Sequence, residues 1–275
     1  MYTQRITRSQ PSFLVLLLDR STSMISHIEG RDQTKAEFLA DAVNQTLANL
    51  ALVCAREDGI HDYAHVAVLG YGSEVSSAIP GGHERCTISQ LGSSPLRVEE
   101  RRTLVPDGVG GTTERQLQLP VWVEPVADGL TSMVAALERA TELVEGWTAE
   151  FPTAFPPIVL NVTDGAATDG DPVLAAERLR KVASDDGATL LFNVHVSDLG
   201  GDPVTFPRDA AELAHLDDGW AQMLFQMSSP LPDLLVELGG ARGMDVRAGS
   251  RGMTYLASAS ELVSFLQLGT MTVTR

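Results

Sequence analysis

The chain has 275 residues, of which 44% are hydrophobic and only 5% aromatic, so we expect one or two globular domains with an aliphatic core. Its formal net charge is −16, from 20 lysines and arginines against 36 aspartates and glutamates. Such an acidic surface repels nucleic acid and anionic membranes, so we expect neither as a partner.

The first predicted element is a short buried strand. Residues 1–11 are polar, and Phe13–Leu18 is an apolar run of the kind found in central parallel strands that helices cover on both faces. The run is too short to cross a membrane, which takes roughly 20 residues. Asp19 and Arg20 follow it at once, where an export signal would have small residues. We therefore expect a cytoplasmic protein.

A helix and a hairpin are predicted next. Apolar residues recur at helical spacing between Thr34 and Arg56. Two strands, 65–71 and 74–78, are joined by Gly72-Ser73, which favours a hairpin and hence one antiparallel edge strand. The two cysteines of the chain, Cys54 and Cys86, form no C-x-x-C motif and are expected to be reduced thiols.

Residues 80–127 have the least regular pattern, and we interpret them as an insertion with some strand character. Regular elements follow it: a helix over 131–145, a strand over 156–162, a helix over 171–184, a strand over 188–196, a helix over 232–241, a strand over 253–256 and a helix over 260–268. Alternating strands and helices predict a doubly wound, Rossmann-like α/β fold with a mainly parallel sheet and helices on both faces. We predict one domain over 1–275, with its core at about 12–270.

Oxygen-bearing side chains cluster after the predicted strands, where open α/β sheets bind ligands. The clusters are Asp19-Arg20-Ser21-Thr22-Ser23 behind the first strand, Asp128-Gly129-Leu130-Thr131-Ser132 before a helix, and Thr163-Asp164-Gly165 behind a later strand. Carboxylates and hydroxyls are hard ligands, which select Mg²⁺, Ca²⁺ or Mn²⁺ over zinc or copper.

The spacing within the first cluster favours a single binding point. Residues i, i+2 and i+4 of an extended segment project the same way, so Asp19, Ser21 and Ser23 can converge while Arg20 and Thr22 point elsewhere. Ligation by hydroxyls, with few carboxylates, leaves a divalent ion with positive charge that an external anion can satisfy. That is a binding mechanism, because catalysis would also need a positioned base or nucleophile.

Together these three motifs resemble the metal-ion-dependent adhesion site of the von Willebrand factor A (VWA) domain, over roughly residues 12–270. The resemblance implies the VWA fold, with Mg²⁺ held by Asp19, Ser21, Ser23, Thr131 and Asp164, the two aspartates often through water. A partner's Asp or Glu then completes the coordination. Gly111-Thr112-Thr113 competes with Thr131 for the threonine position.

The resemblance also implies a biological setting. Compact bacterial cytoplasmic members of this family, some of them associated with tellurite resistance, act as adaptors beside Ser/Thr kinases, phosphatases or ring ATPases. We expect a protein-binding adaptor of this kind with no enzymatic activity.

Two other functions stay open. The chain could be a metal-dependent phosphotransferase or hydrolase similar to the haloacid-dehalogenase group, but Ser21 stands where that group has a second aspartate. It could also be a structural subunit with an unused metal site. Among single features, Asp169-Gly-Asp171 has some character of a calcium loop, and His195 is expected to be a buried, hydrogen-bonded residue.

Overall fold

The computed structural model describes residues 2–28, 32–106, 112–197 and 201–272. Within these ranges the strands are, in chain order, β1 (Ser12–Asp19), β2 (Ala55–Arg56), β3 (Gly59–Ile60), β4 (Ala64–Tyr71), β5 (Val75–Ser77), β6 (Cys86–Thr87), β7 (Arg97–Pro106), β8 (Thr112–Val121), β9 (Ile158–Thr163), β10 (Ala183–Ser184), β11 (Gly187–Ala188), β12 (Leu190–Val196), β13 (Val204–Thr205) and β14 (Met253–Ala257). The helices are α1 (Lys35–Cys54), α2 (Ile88–Ser93), α3 (Met133–Glu150), α4 (Val173–Lys181), α5 (Gly219–Met227), α6 (Asp233–Gly240) and α7 (Ala259–Thr270). Short 3-10 turns cover Thr22–Ile25, Pro80–Gly82 and Ala210–Leu216.

The central sheet has the order β13-β14-β12-β9-β1-β4-β5, and β6 also pairs with β4. Strands β14, β12, β9, β1 and β4 run parallel to their neighbours in this set. Strands β5 and β6 are antiparallel to β4, and β13 is antiparallel to β14 at the other edge. The predicted doubly wound, mainly parallel α/β fold is confirmed, and so is the predicted hairpin at one edge. A further antiparallel strand, β13, lies at the opposite edge and was not predicted.

Strand β1 lies in the middle of the sheet because both of its faces are apolar. All eight of its residues are buried. Alternate side chains of a strand point to opposite faces: Leu14, Leu16 and Leu18 pack in a cluster with α1 and α7, whereas the odd-numbered side chains pack with α3, α4 and α5. The two helical layers therefore fix β1 in place, and with it the position of the residues that follow it.

Helix boundaries agree with the predictions to within a few residues, apart from the ends of α3 and α4. Helix α1 begins after a capping box in which Thr34 Oγ1 accepts from Glu37 N at 3.2 Å and Glu37 Oε2 accepts from Thr34 N at 2.8 Å. Helix α4 ends at Lys181, before the predicted Ser184, because the chain turns there into the antiparallel pair β10–β11. Helix α3 extends to Glu150, beyond the predicted 145. None of the helices in the described ranges has the length and hydropathy needed to cross a membrane.

The longest elements of the region 80–127 form a two-stranded ribbon. Strands β7 and β8 pair in antiparallel register from Arg97↔Val121 to Pro106↔Thr112, and among the described residues they pair with no other strand. The base of the ribbon is held to α1 by Arg101, whose guanidinium contacts both carboxylate oxygens of Asp41 at 2.9 and 2.5 Å. The prediction of strand character in this region is confirmed.

Both cysteines, Cys54 and Cys86, are free and buried. Burial raises the pKa of each thiol to about 11. Since the thiolate is the reactive form, both side chains are unreactive near neutral pH, which agrees with the expectation of two reduced thiols.

Candidate metal centre

The first and last of the three predicted loops meet because their strands are neighbours. Strands β1 and β9 are parallel and adjacent, with Leu18 paired to Val162. Their carboxyl ends therefore lie side by side, and this edge is where open α/β sheets place their ligand sites. Asp19 is the last residue of β1, and Asp164 directly follows β9.

Four of the five predicted ligands are joined by hydrogen bonds. Ser23 Oγ donates to Asp164 Oδ1 at 2.7 Å and lies 2.9 Å from Ser21 Oγ. Asp19 Oδ1 accepts from the Ser21 backbone N–H at 2.8 Å, and Thr163 Oγ1 donates to Asp19 Oδ2 at 2.8 Å. Two carboxylates and two hydroxyls therefore form one continuous set of oxygen atoms, and Thr163 orients one of the carboxylates.

The third loop is hydrogen-bonded to the first. Gly129 O accepts from both the backbone N–H and the side-chain hydroxyl of Thr22 at 3.1 Å. Gly129 has a φ of +88°, and a Cβ there would lie 2.6 Å from the backbone nitrogen of Ser73. A side chain at this position would therefore be both strained and obstructed, so glycine is what allows the third loop to lie against the turn between β4 and β5.

Thr131 belongs to this third loop and lies outside helix α3, which begins at Met133. Its backbone N–H donates to Thr168 Oγ1 at 3.0 Å, and its carbonyl accepts from the Thr168 backbone N–H at 2.9 Å. These bonds tie it to the loop that carries Asp164. The competing candidate, Thr113, is an exposed residue of ribbon strand β8, and Gly111 lies outside the described residues. The loop contacts favour Thr131.

The calcium-like sequence Asp169-Gly-Asp171 is used for helix capping. The Asp169 carboxylate accepts from the backbone N–H groups of Val134 and Ala135, at 3.1 and 3.0 Å, in the first turn of α3. Asp171 Oδ1 accepts from Val173 N at 2.9 Å at the start of α4. Carboxylates are favourable at helix N-termini, where they satisfy unpaired N–H groups and complement the helix dipole.

The two carboxylates of the site, Asp19 and Asp164, are both buried but have different surroundings. Asp19 is 1% exposed, and desolvation raises its pKa against the opposing hydrogen bonds from Ser21 and Thr163. The side chain of Asp164 is fully buried, although its backbone is partly exposed. Its Oδ2 atom has no hydrogen-bond partner among the described residues. A buried carboxylate oxygen needs a compensating partner, because leaving it unpaired is costly.

A lysine that sequence reasoning missed lies at this oxygen. Lys35 Nζ is 2.7 Å from Asp164 Oδ2, and the Lys35 side chain is only 4% exposed. The ammonium therefore compensates the charge of this buried carboxylate oxygen. Lys35 stands at the start of an amphipathic helix, where a lysine is ordinarily a solvated surface residue. No local pattern sets it apart.

The residues present fit a hard divalent cation. Asp19, Ser21, Ser23 and Asp164 offer carboxylate and hydroxyl oxygens that converge at the carboxyl ends of β1 and β9. Mg²⁺, Ca²⁺ and Mn²⁺ prefer this kind of donor set. The choice among these ions stays a prediction, as does the role of Thr131 as a ligand.

His195 lies next to the centre and is 8% exposed. Its ring stacks on Tyr255 with centroids 4.3 Å apart, and burial lowers its pKa, opposed by the nearby Asp164 carboxylate. The expected burial of His195 is confirmed, but its Nδ1 atom has no hydrogen-bond partner among the described residues.

Comparisons with known proteins bear on the fold of this chain and not on its function. The chain matches no protein-family model, and no curated protein matches it in sequence. It is similar in structure to the pilus adhesin SpaC from Lactobacillus rhamnosus GG, with a TM-score of 0.50 and 13% identity over 98% of this chain and 31% of that one. Likenesses with lower TM-scores include proximal thread matrix protein 1 from the mussel byssus (0.49, 14% identity, 99% of this chain and 50% of that one) and a von Willebrand factor type A protein from Catenulispora acidiphila (0.38, 15%, 80% and 44%). The chain spans half or less of each of these proteins.

Proposed function

We propose that this protein is a divalent-metal-dependent protein-binding module. Asp19, Ser21, Ser23, Thr131 and Asp164 would hold the ion, with Mg²⁺ as the first candidate and Ca²⁺ or Mn²⁺ as alternatives. When bound, the ion supplies a positive charge to which a partner's aspartate or glutamate can coordinate. The partner would belong to a cytoplasmic kinase, phosphatase or ring-ATPase system in which the module acts as an adaptor.

One observation carries the proposal, namely the hydrogen-bonded set of Ser21, Ser23 and Asp164 oxygens beside Asp19 at the carboxyl edge of the sheet. These donors suit a hard cation and include only two carboxylates. Hydroxyl oxygens do not neutralise an ion, so a bound ion retains an attraction for an external carboxylate. The VWA resemblance of the sequence motifs leads to the same function.

A phosphotransferase is less favoured by the residues themselves. The general acid of the haloacid-dehalogenase group would occupy position 21, where the chain has a serine whose hydroxyl is directed at Ser23. A structural subunit with an unused site remains the other alternative. It predicts that substitutions in the site leave both metal and partner binding unchanged.

The first test is metal binding. Calorimetric titration of wild type with Mg²⁺ should give one site, and Asp19→Ala or Ser21→Ala should abolish it. The circular dichroism spectrum should be retained, because neither residue belongs to the two apolar clusters of the core. Ser26→Ala removes a hydroxyl from the same loop outside the converging set and serves as the matched control. A wild type that binds none of Mg²⁺, Ca²⁺ or Mn²⁺ would contradict the proposal.

The second test is the dependence of binding on an acidic ligand. A library of short immobilised peptides with one central glutamate should retain the protein in Mg²⁺ and release it in EDTA. The same peptides with glutamine should not retain it, and Asp19→Ala should bind neither set. Undiminished binding in EDTA would place the contact elsewhere, with the β7–β8 ribbon as the next candidate.

A further inference from the structure

Lys35 is an unusual residue in this chain. The sequence has two lysines, Lys35 and Lys181, among its 20 basic residues, and Lys181 is exposed at the end of α4. Lys35 is 3% exposed, and its ammonium contacts the buried carboxylate of Asp164 at 2.7 Å. Burying an ammonium costs several kcal/mol before any compensating attraction, so its place inside the candidate metal centre calls for a reason.

The ammonium changes the charge that a metal ion would meet. The formal charges of Asp19 and Asp164 sum to −2, and with Lys35 the three side chains sum to −1. A bound divalent ion would take the same three side chains to +1, whereas without the lysine the total would be zero. Charges at contact distance in a partly buried site interact strongly, so one unit of charge alters the binding of an ion or a carboxylate.

Two effects of opposite sign follow from this charge. A fixed positive charge repels the incoming divalent ion and competes with it for Asp164, which weakens metal binding. The same charge favours a partner carboxylate once the ion is in place, because the loaded cluster is then positive. A lysine suits this role, since its ammonium is a compact point charge that can contact one carboxylate oxygen and leave the other to Ser23.

We infer that Lys35 is a specificity-determining residue of the metal centre, a fixed internal cation that lowers affinity for the divalent ion and raises the loaded site's affinity for an acidic ligand. This inference rests on the proposed function. It makes metal and partner interdependent, because the ion binds weakly alone and the partner's carboxylate supplies the charge that retains it. Reciprocity follows from linkage, so the acidic ligand should raise the apparent affinity for the ion by the same factor.

The test removes the charge of Lys35 and keeps a side chain of similar length. Lys35→Met keeps an unbranched buried side chain, Lys35→Gln keeps a polar end without charge, and Lys181→Met removes the other lysine as the matched control. In calorimetric titration, both Lys35 variants should bind Mg²⁺ about tenfold more tightly than wild type, since removing one unit charge at close range is worth at least that factor. Lys181→Met should bind as wild type does.

The second measurement concerns the acidic ligand. In saturating Mg²⁺, the Lys35 variants should bind a glutamate-containing peptide about tenfold more weakly than wild type. A loss of structure would weaken both Mg²⁺ binding and peptide binding. Tighter Mg²⁺ binding together with weaker peptide binding therefore identifies a charge effect. Thermal unfolding gives a further readout, because Mg²⁺ should raise the Tm of Lys35→Met more than that of wild type, as Asp164 then has the ion as its main counter-charge.

The outcomes separate this inference from the proposed function. Equal Mg²⁺ affinity in wild type and both Lys35 variants overturns the inference and leaves the proposed function standing. Mg²⁺ binding by the Lys35 variants but not by wild type supports the inference and contradicts the function as proposed for Mg²⁺. Absence of Mg²⁺ binding in all of them overturns both. If Lys35→Met fails to fold, Lys35→Gln is read by the same criteria.

Discussion

His65 is a buried residue whose protonation bears on stability. It is 9% exposed, its Nδ1 accepts from Trp147 Nε1 at 3.1 Å, and its ring packs edge-on against Phe151. Burial, with a smaller effect from Arg85, lowers its pKa below the ordinary value. The folded state therefore holds the neutral ring, whereas the unfolded chain takes up a proton as the pH falls through about 6.5.

We predict that His65 makes the protein less stable in mild acid. Above the unfolded pKa both states are neutral and the residue contributes no pH dependence. Below it the unfolded state binds more protons, so the free energy of unfolding falls until the folded-state pKa is reached. His65→Gln keeps a hydrogen-bond acceptor and should cost about 1 to 3 kcal/mol at pH 7.5, but it should lose less stability than wild type between pH 7.5 and 5.5.

The measurement is urea unfolding at the two pH values. His83→Gln, which alters an exposed histidine, is the control and should keep the wild-type pH dependence. If His65→Gln loses as much stability in acid as wild type does, protonation of His65 is not coupled to unfolding.

Individual site residues could be predicted from the sequence to different extents. Asp19, Ser21 and Ser23 are close in sequence and follow an apolar strand, so local geometry alone brings them together. Asp164 follows a second apolar strand, and the parallel topology places it beside them. Lys35 could not be predicted, because its contact with Asp164 joins α1 to the loop after β9 and depends on how the helix packs against the sheet.

At the scale of elements, the β7–β8 ribbon departs most from the α/β architecture, because it forms a separate two-stranded sheet. It pairs with no other strand among the described residues, and Val98 and Leu117 on it are 51% and 48% exposed. Its sequence has no strict apolar alternation, which agrees with the exposure of these two side chains. The sequence therefore predicted only strand character there, whereas the central strands could be located from their apolar runs.

We predict that the outer part of the ribbon can be removed without loss of the fold. Replacing residues 103–115 by Asn-Gly joins the paired residues Arg102 and Gln116 through a two-residue turn suited to a hairpin. Arg101 and its contact with Asp41 on α1 are retained. The free energy of unfolding should change by less than about 1 kcal/mol, and Mg²⁺ affinity should equal that of wild type.

Urea unfolding and calorimetry test this variant, with an internal control in Arg101→Ala, which removes the anchor to α1 and leaves the ribbon complete. A loss of several kcal/mol on shortening would mean that the ribbon packs on the core. Retained Mg²⁺ binding with loss of peptide binding would instead assign the ribbon to the partner interface.

At the scale of the whole molecule, two electrostatic effects act on an acidic partner in opposite directions. The net charge of −16 repels it at a distance, whereas a loaded metal centre attracts it at contact. Screening distinguishes the two, because the Debye length falls from about 30 Å at 0.01 M salt to about 10 Å at 0.1 M. Long-range repulsion is lost over that interval, and a direct metal–carboxylate contact, which is shorter than either length, is much less affected.

We therefore predict that the association rate of an acidic peptide rises with salt, opposite to the behaviour of a protein that attracts its ligand electrostatically. In saturating Mg²⁺, the rate constant for a glutamate-containing peptide with acidic flanks should increase severalfold between 0.01 and 0.1 M NaCl, while its dissociation rate changes little, because repulsion governs encounter and the contact governs release. Stopped-flow fluorescence gives both rates. The same peptide with lysine flanks is the control, and its association rate should fall with salt. An association rate that also falls for the acidic peptide would mean that the positive field of the metal and Lys35 extends beyond the site and outweighs the net charge of the chain.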